Sequence, residues 1–300
     1  MLEAFLDPTF LGQILLDGLV RGAMYGLMAV GLALVFGILG VINLGHGEFF
    51  MLGCYAMYFL FAALGLPAFL SIPAAACLLL VFGMAVERGL LAPLRWRFGD
   101  RWLTDGYVLT IGVMVILQNL ALIAFGAQEY GIANLWPGRL FLGDIVLSHD
   151  RLLVLIGAAS AVAALVLFLK YTFLGRAIRA TGEHPEAAQV VGINIRHIYT
   201  VTFGIGAALA GATGALLLPT YPAYPLVGAD IMLKSFVVVI IGGLGNVWGA
   251  LVAGLLLGTV EAFATVVSSG GWQNSLSALL VLLVLVLRPS GLFTRQTSRP

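Results

Sequence analysis

Residues Ala68-Phe69-Leu70-Ser71-Ile72-Pro73-Ala74-Ala75-Ala76-Cys77-Leu78-Leu79-Leu80-Val81-Phe82-Gly83-Met84-Ala85-Val86 run without one formal charge. At about 1.5 Å per residue, a helix of this length crosses the roughly 30 Å hydrocarbon core of a bilayer. Inside that core no water can satisfy backbone N–H and C=O groups, so the segment must close its own hydrogen bonds as a helix. The run extends to residue 92, and similar runs fall at 10–39, 44–66, 107–125, 152–169, 198–218, 231–244, 247–267 and 272–287. They predict an all-α, polytopic transmembrane bundle of eight or nine membrane segments. The run 231–244 is short and ends in glycine, so a half-helix is expected there, and the count turns on residues 229–250.

Composition points the same way. Hydrophobic residues make up 61% of the chain and charged residues 10%, with a mean hydropathy of +1.06. Soluble domains lie near 45–50% apolar and about 25% charged, which excludes that class. A net charge of +1, with no basic or acidic run, gives no footprint for nucleic acid. Cys54 and Cys77 lie in apolar runs and read as small buried thiols. The segment from Met1 to Pro8 is acidic and lacks a basic n-region, so the first apolar run is expected to remain in the protein. One domain over 1–300 is expected.

Cations set the orientation. Arg88, Arg95, Arg97 and Arg101 fall in 88–105; Lys170, Arg176, Arg179 and Arg196 in 170–197; Arg288, Arg295 and Arg299 in the tail. These three regions are predicted to face the cytoplasm, and 126–151, with only Arg139 and Arg151, the outside. Nine crossings then put the N-terminus outside, with Trp136 and Trp272 near the outer interface. Small-residue spacings (Gly22/Gly26, Gly206/Ala210/Gly214, Gly245/Gly249, Gly254/Gly258) predict flat helix faces that pack closely.

Polar groups in apolar surroundings are the functional candidates. Asn43, His46 and Glu48 lie in Val41-Ile42-Asn43-Leu44-Gly45-His46-Gly47-Glu48-Phe49-Phe50, where Gly40, Gly45 and Gly47 let the backbone bend. This segment is expected to be a broken helix lining or gating a path, or a polar turn between two helices. Asp17 and Arg21, four apart, are expected to neutralise each other, as are Asp230 and Lys234. Glu87 and Arg88 suit a snorkelling helix end. Glu261 stands isolated. His46 and Glu48 do not share a helix face, and no metal or haem site is expected.

On the basic side, Gly175 to His197 holds a short helix. Pro185 suits its first turn, Glu186 its positive end, Ala187-Ala188-Gln189-Val190-Val191 its body, and Gly192 its left-handed stop. Such an element is either a connector or a knob for a partner. No P-loop, nucleophile elbow, zinc helix or Cys-x-x-Cys pair occurs, so no enzyme is expected; uphill transport would draw on a partner or an ion gradient.

The segment Glu186-Ala187-Ala188-Gln189-Val190-Val191-Gly192 resembles the Glu-Ala-Ala-x-x-x-Gly loop of ABC importer permeases. The chain is similar more widely to permeases of branched-chain amino acid (LIV-type) importers. Resembling stretches run from Gly22 to Leu27 and on to Phe49, from Arg179 to Asn194, from Ala207 to Gly211, and from Lys234 to Asn246. The resemblance implies that Glu186, Ala187, Ala188 and Gly192 couple to an ATPase. It also implies a second related permease subunit, two cytoplasmic ATPase subunits carrying ATP and Mg, and a periplasmic or extracellular substrate-binding protein. This chain would bind no cofactor itself and would lie in the bacterial inner membrane. Broken-helix ends at 43–48 and at Gly242, Gly243 and Gly245 would line or gate the path. The rival expectation is a self-sufficient secondary transporter or channel, with Asp17, Glu48 or Glu261 as its coupling group.

Overall fold

The computed structural model describes residues 7–98, 102–267, 273–288 and 291–293. Its first helix, α1 (Pro8–Leu39), opens on Asp7, whose Oδ1 accepts the Thr9 N–H at 2.9 Å, with Pro8 in the first turn. Gly40, at φ 74°, closes it. After a short turn come α2 (His46–Met57), widened into a π-helical stretch over Tyr58–Ala63, and α3 (Ala68–Val86), which continues through a wide turn, Glu87–Leu91, into α4 (Ala92–Phe98). Helix α5 (Trp102–Phe125) leads to a hairpin of β1 (Arg139–Leu142) and β2 (Ile145–Ser148), paired antiparallel. This hairpin is a small departure from the all-α expectation.

Ser148 caps α6 (His149–Tyr171), Thr172 caps α7 (Phe173–Glu183), and Asn194 caps α9 (Ile195–Leu217), with α8 (Pro185–Val190) between the last two. The chain continues through α10 (Val227–Gly242), α11 (Val247–Val267) and α12 (Gln273–Leu287). The helices coincide closely with the apolar runs. Among the described residues, six are long and apolar enough to cross a membrane alone: those beginning at Pro8, Ala68, Asp105, His149, Ile195 and Val247. The segment 46–63 is interrupted, while α10 (16 residues) and α12 (15 residues) are shorter.

Two three-helix units, α1–α3 and α9–α11, pack reciprocally. In the first, α1 starts beside the hairpin, where the Val146 N–H bonds to Gln13 Oε1 at 3.1 Å, and ends where Gly37 meets Gly245. In the second, α9 runs the opposite way and crosses α1 at Gly31 and Gly206. Helix α3 lies along α9, and α11 lies along α1. The close seams fall on the small residues: a Cβ on Gly258 would come within 2.2 Å of the Gly22 nitrogen, and one on Gly53 within 2.3 Å of the Gly211 oxygen. Such approach is what lets helices gain dispersion contact where lipid offers no hydrophobic drive. Gly245 precedes α11 at φ 82° and so shares no helix face with Gly249; the latter packs against Gly242 instead.

Large apolar side chains stay exposed around the perimeter, among them Val81 on α3, Ile123 on α5 and Val286 on α12. Cys54 is buried, with its thiol 3.3 Å from the Gly214 carbonyl, but Cys77 is exposed on the perimeter. Trp136 lies half-exposed at the hairpin end against His149. Trp272, Arg101, Arg295 and Arg299 lie outside the described residues.

Candidate translocation site and loop

After Gly40 the chain re-enters the bundle. The Asn43 side chain accepts the Gly45 N–H at 3.1 Å, its carbonyl accepts the His46 N–H at 3.1 Å, and the Leu44 N–H reaches Thr110 Oγ1 at 3.3 Å. These bonds stop the turn and start α2 inside the protein, with His46 against Gly31, about two turns before the end of α1. Asn43, His46 and Glu48 are all at least 98% buried. Glu48 Oε1 accepts from Gln118 Nε2 of α5 at 2.8 Å, while Glu48 Oε2, Asn43 Nδ2 and the His46 ring nitrogens make no well-formed hydrogen bond. The first turn of α2 favours a carboxylate, because its N–H groups carry the positive end of the helix dipole.

The start of α10 faces this turn. A Cβ on Gly47 would lie 2.4 Å from the Gly228 oxygen, so the N-terminal turns of α2 and α10 touch backbone to backbone. From there α2 runs toward the hairpin end, where Tyr55 stacks on Phe125 at 4.2 Å, and α10 runs toward the opposite end. Gly228 carried no signal in the sequence, being one glycine in an ordinary helical start. Gly242, Gly243 and Gly245 form a tight turn at the far end of α10, with Gly243 at φ 98°. The structure does not bring them to Asn43, His46 and Glu48: α10, 16 residues long, holds the two sets about 24 Å apart.

Two ion pairs differ from the local pairs expected, and a third replaces an expected snorkelling end. Asp17 pairs with Arg151 at the start of α6, not with Arg21. Lys234 pairs with Glu261 on α11, and Glu261 also accepts the Tyr25 hydroxyl at 2.9 Å. Glu87 does not snorkel; it is fully buried, bonded to Arg95 at 3.0 Å and to the Thr200 hydroxyl. The Arg95 guanidinium lies over the Tyr199 and Trp102 rings at 4.3 and 4.6 Å. A helix-spacing rule ranks only neighbours one turn apart; Asp17 and Lys234 find their partners on a second helix, and Glu87 finds Arg95 eight residues on, past the wide turn.

The loop 175–197 holds α8 as expected, six residues from Pro185. Gly192, at φ 89°, donates to Gln189 O at 3.0 Å, and the Ile193 N–H reaches Ala188 O at 3.0 Å. That pair of bonds is a Schellman closure, which fixes the exit angle of the chain. Glu186, Ala187, Val190 and Val191 face outward, the two valines 88% and 76% exposed. Ala188 faces inward at 4% exposure and seats α8 on the chain's own bundle. Its small side chain therefore serves the seat rather than the outward face. No group of His, Cys, Asp or Glu able to hold a metal occurs among the described residues.

A helical bundle with helices that start inside it, buried polar side chains at their meeting point and an exposed knob at one end is the architecture of a multi-pass membrane protein. The profile of the family described as branched-chain amino acid transport system / permease component matches residues 14–288, and the chain belongs to that family. It is 34% identical over 297 residues to the high-affinity branched-chain amino acid transport system permease protein BraD of Pseudomonas aeruginosa, covering 94% of this chain and 95% of that one. It is 31% identical over 309 residues to the permease protein LivH of Escherichia coli, with 98% of each covered. Against the permease protein LivM of the same organism the identity is 27%, over 90% of this chain and 67% of the other. No solved structure matches.

Proposed function

We propose that this chain is the translocation subunit of an ATP-driven importer that carries branched-chain or related amino acids into the cytoplasm of a bacterium. Its family, and the names borne by relatives that it matches along nearly their whole length, support this. The single structural observation that carries it is α8: a rigid, Schellman-closed knob with two bare valines and Glu186, held out on the basic end of the chain. Apolar side chains so exposed, beside a carboxylate able to make charge-assisted hydrogen bonds, suit burial in a groove of a partner.

In this proposal Glu186, Ala187, Val190 and Val191 meet a cytoplasmic ATPase, Ala188 seats the loop, and Gly192 fixes its angle. Two ATPase subunits hold ATP and Mg; this chain binds no cofactor and catalyses no reaction. A second, related permease completes the membrane part, as the likeness to both LivH and LivM favours. A substrate-binding protein docks at the hairpin end, outside the inner membrane. Counting 46–63, α10 and α12 with the six long helices gives nine segments in one domain. Closure of the ATPases pulls α8 and, through α7 and α9, tilts the two units. Asn43, His46 and Glu48 lie where the half-helices α2 and α10 part, and the turn at Gly242, Gly243 and Gly245 hinges the inner end.

Purification of the tagged chain from its own membranes tests this. ATPase subunits should co-purify with the native chain and be lost from Gly192→Val, because a β-branched residue at that left-handed position is disfavoured. A Gly192→Val chain that retains ATPase and transports normally would refute it.

A further inference from the structure

Between α1, α6 and α9, at the hairpin end, lies a cavity of about 360 Å³ that plays no part in the coupling argument. Its α1 wall carries Asp17, Arg21 and Tyr25; Val154 of α6 and Leu216 of α9 give it an apolar side, and Tyr221 and Thr220 stand at the end of α9. We propose that this cavity is a solute site for an α-amino acid with an apolar side chain, with Arg21 holding its carboxylate. The proposal rests on the importer function and names where the solute first meets this chain.

Arg21 has no partner on its own helix. Its neighbour one turn back, Asp17, is taken by Arg151, and the Tyr25 hydroxyl one turn on is taken by Glu261. Among the described residues Arg21 makes no hydrogen bond or ion pair, although its side chain is partly buried in the cavity wall. A guanidinium offers a planar fork of donors that matches a carboxylate bidentately. Asp17 uses Oδ1 for both Arg151 and Gln13, which leaves Oδ2 to accept from an ammonium. Residues four apart on a helix stand about 5–6 Å from each other at Cβ, a spacing that suits the two charges of one zwitterion. Val154 and Leu216 would then receive the aliphatic side chain. The volume also lies in the range of small-molecule sites, about 300–1,000 Å³.

A cation at this end could instead receive a carboxylate from a docking protein, and the experiment separates the two. Thr220→Cys, in a Cys77→Ser background, is purified with the subunits that accompany it and placed in nanodiscs without ATP or binding protein. A charged methanethiosulfonate then labels the cavity rim in the presence of leucine, or of leucinamide, which lacks the carboxylate. Leucine at twice its Kd should slow labelling about threefold, and leucinamide should not. Adding Arg21→Gln should abolish the protection by leucine, measured against that variant's own unliganded labelling rate, while the elution profile stays unchanged. Equal effects of leucine and leucinamide, or protection that survives Arg21→Gln, overturn the proposal. So does an Arg21→Gln defect confined to the binding-protein concentration needed to stimulate ATPase. If Arg21→Gln does not fold, the leucine and leucinamide comparison on the native arginine decides alone. Protection without ATP-driven uptake would remove the importer function and keep the site; uptake without protection would do the reverse.

Discussion

Replacing Gly258 by alanine sets two effects against each other on the α1–α11 seam. Alanine removes the helix-propensity cost of glycine, a gain of about 1 kcal/mol. Against this, its Cβ would stand 2.2 Å from the Gly22 nitrogen and 2.4 Å from its Cα, where ordinary contact begins at 3.4 Å. The obstacle is backbone, so no rotamer change relieves it, and the helices must part by about 1 Å. A gap near 1 Å forfeits about half of each contact; roughly 50 atom pairs at about 0.1–0.2 kcal/mol then lose about 2.5–5 kcal/mol. The net is a destabilisation of about 1.5–4 kcal/mol, comparable to other overpacked cores. At about 2–4 °C per kcal/mol, thermal unfolding in detergent, followed by fluorescence-detected size exclusion, should begin about 3–16 °C lower. Gly112 on α5 is the control, since a Cβ there meets nothing within 4 Å; Gly112→Ala should not lower the transition. A Gly258→Ala protein as stable as the native one, or a Gly112→Ala protein equally weakened, would refute the packing argument.

Glu87→Gln leaves Arg95 without its charge partner in a buried site, and should cost about 3–5 kcal/mol, read as a lowered melting temperature. Glu48→Gln and His46→Ala should assemble with their partners yet transport slowly; wild-type rates in both would reduce the 43–48 segment to a turn. Val190→Asp, on the bare face of α8, should loosen ATPase in pull-downs without moving the melting temperature, whereas Ala188→Trp should do both, because Ala188 faces inward. A cysteine at 183 should resist an impermeant reagent applied from outside and one at 140 should react; labelling at 183 would reverse the topology and end the coupling proposal.

The helices were legible because hydrocarbon imposes a length and a composition on each, and residues such as those of 68–86 admit no other structure in it. The Gly192 stop was legible for a similar reason, since a left-handed exit after a short helix leaves few alternatives to glycine. Ion-pair partners were not. Asp17 and Arg21 satisfy the one-turn rule, yet Arg151 competes for Asp17 from 134 residues away, and no pattern in either segment announces it. The inward face of Ala188 was equally hidden: six residues make less than two turns, too few for a periodicity to define a buried side. Gly228 was missed because its need for close approach is set by Gly47, on a helix far away in sequence.

Two of the buried glutamates, Glu87 and Glu261, gain their sense from the reciprocal packing. Glu87, at the start of the wide turn after α3, bonds a hydroxyl on α9, the first helix of the other unit, and pairs with Arg95. Glu261, late in α11, bonds a hydroxyl on α1 and pairs with Lys234. Because α1 and α9 run in opposite directions, these clusters pin the units on opposite sides of the Gly31–Gly206 crossing. Buried charge pairs add little net stability over apolar packing, but removing one partner is costly, so each cluster penalises any register in which it is broken. Between them the seams are glycine and alanine, which resist sliding far less than charge does. The chain is thereby held by charge on both sides of the crossing, while α2 and α10 meet through Gly47 and Gly228, backbone to backbone. In the proposed cycle a pull on α8 reaches the bundle through α7 and α9 and opens it where α2 and α10 part, beside Glu48.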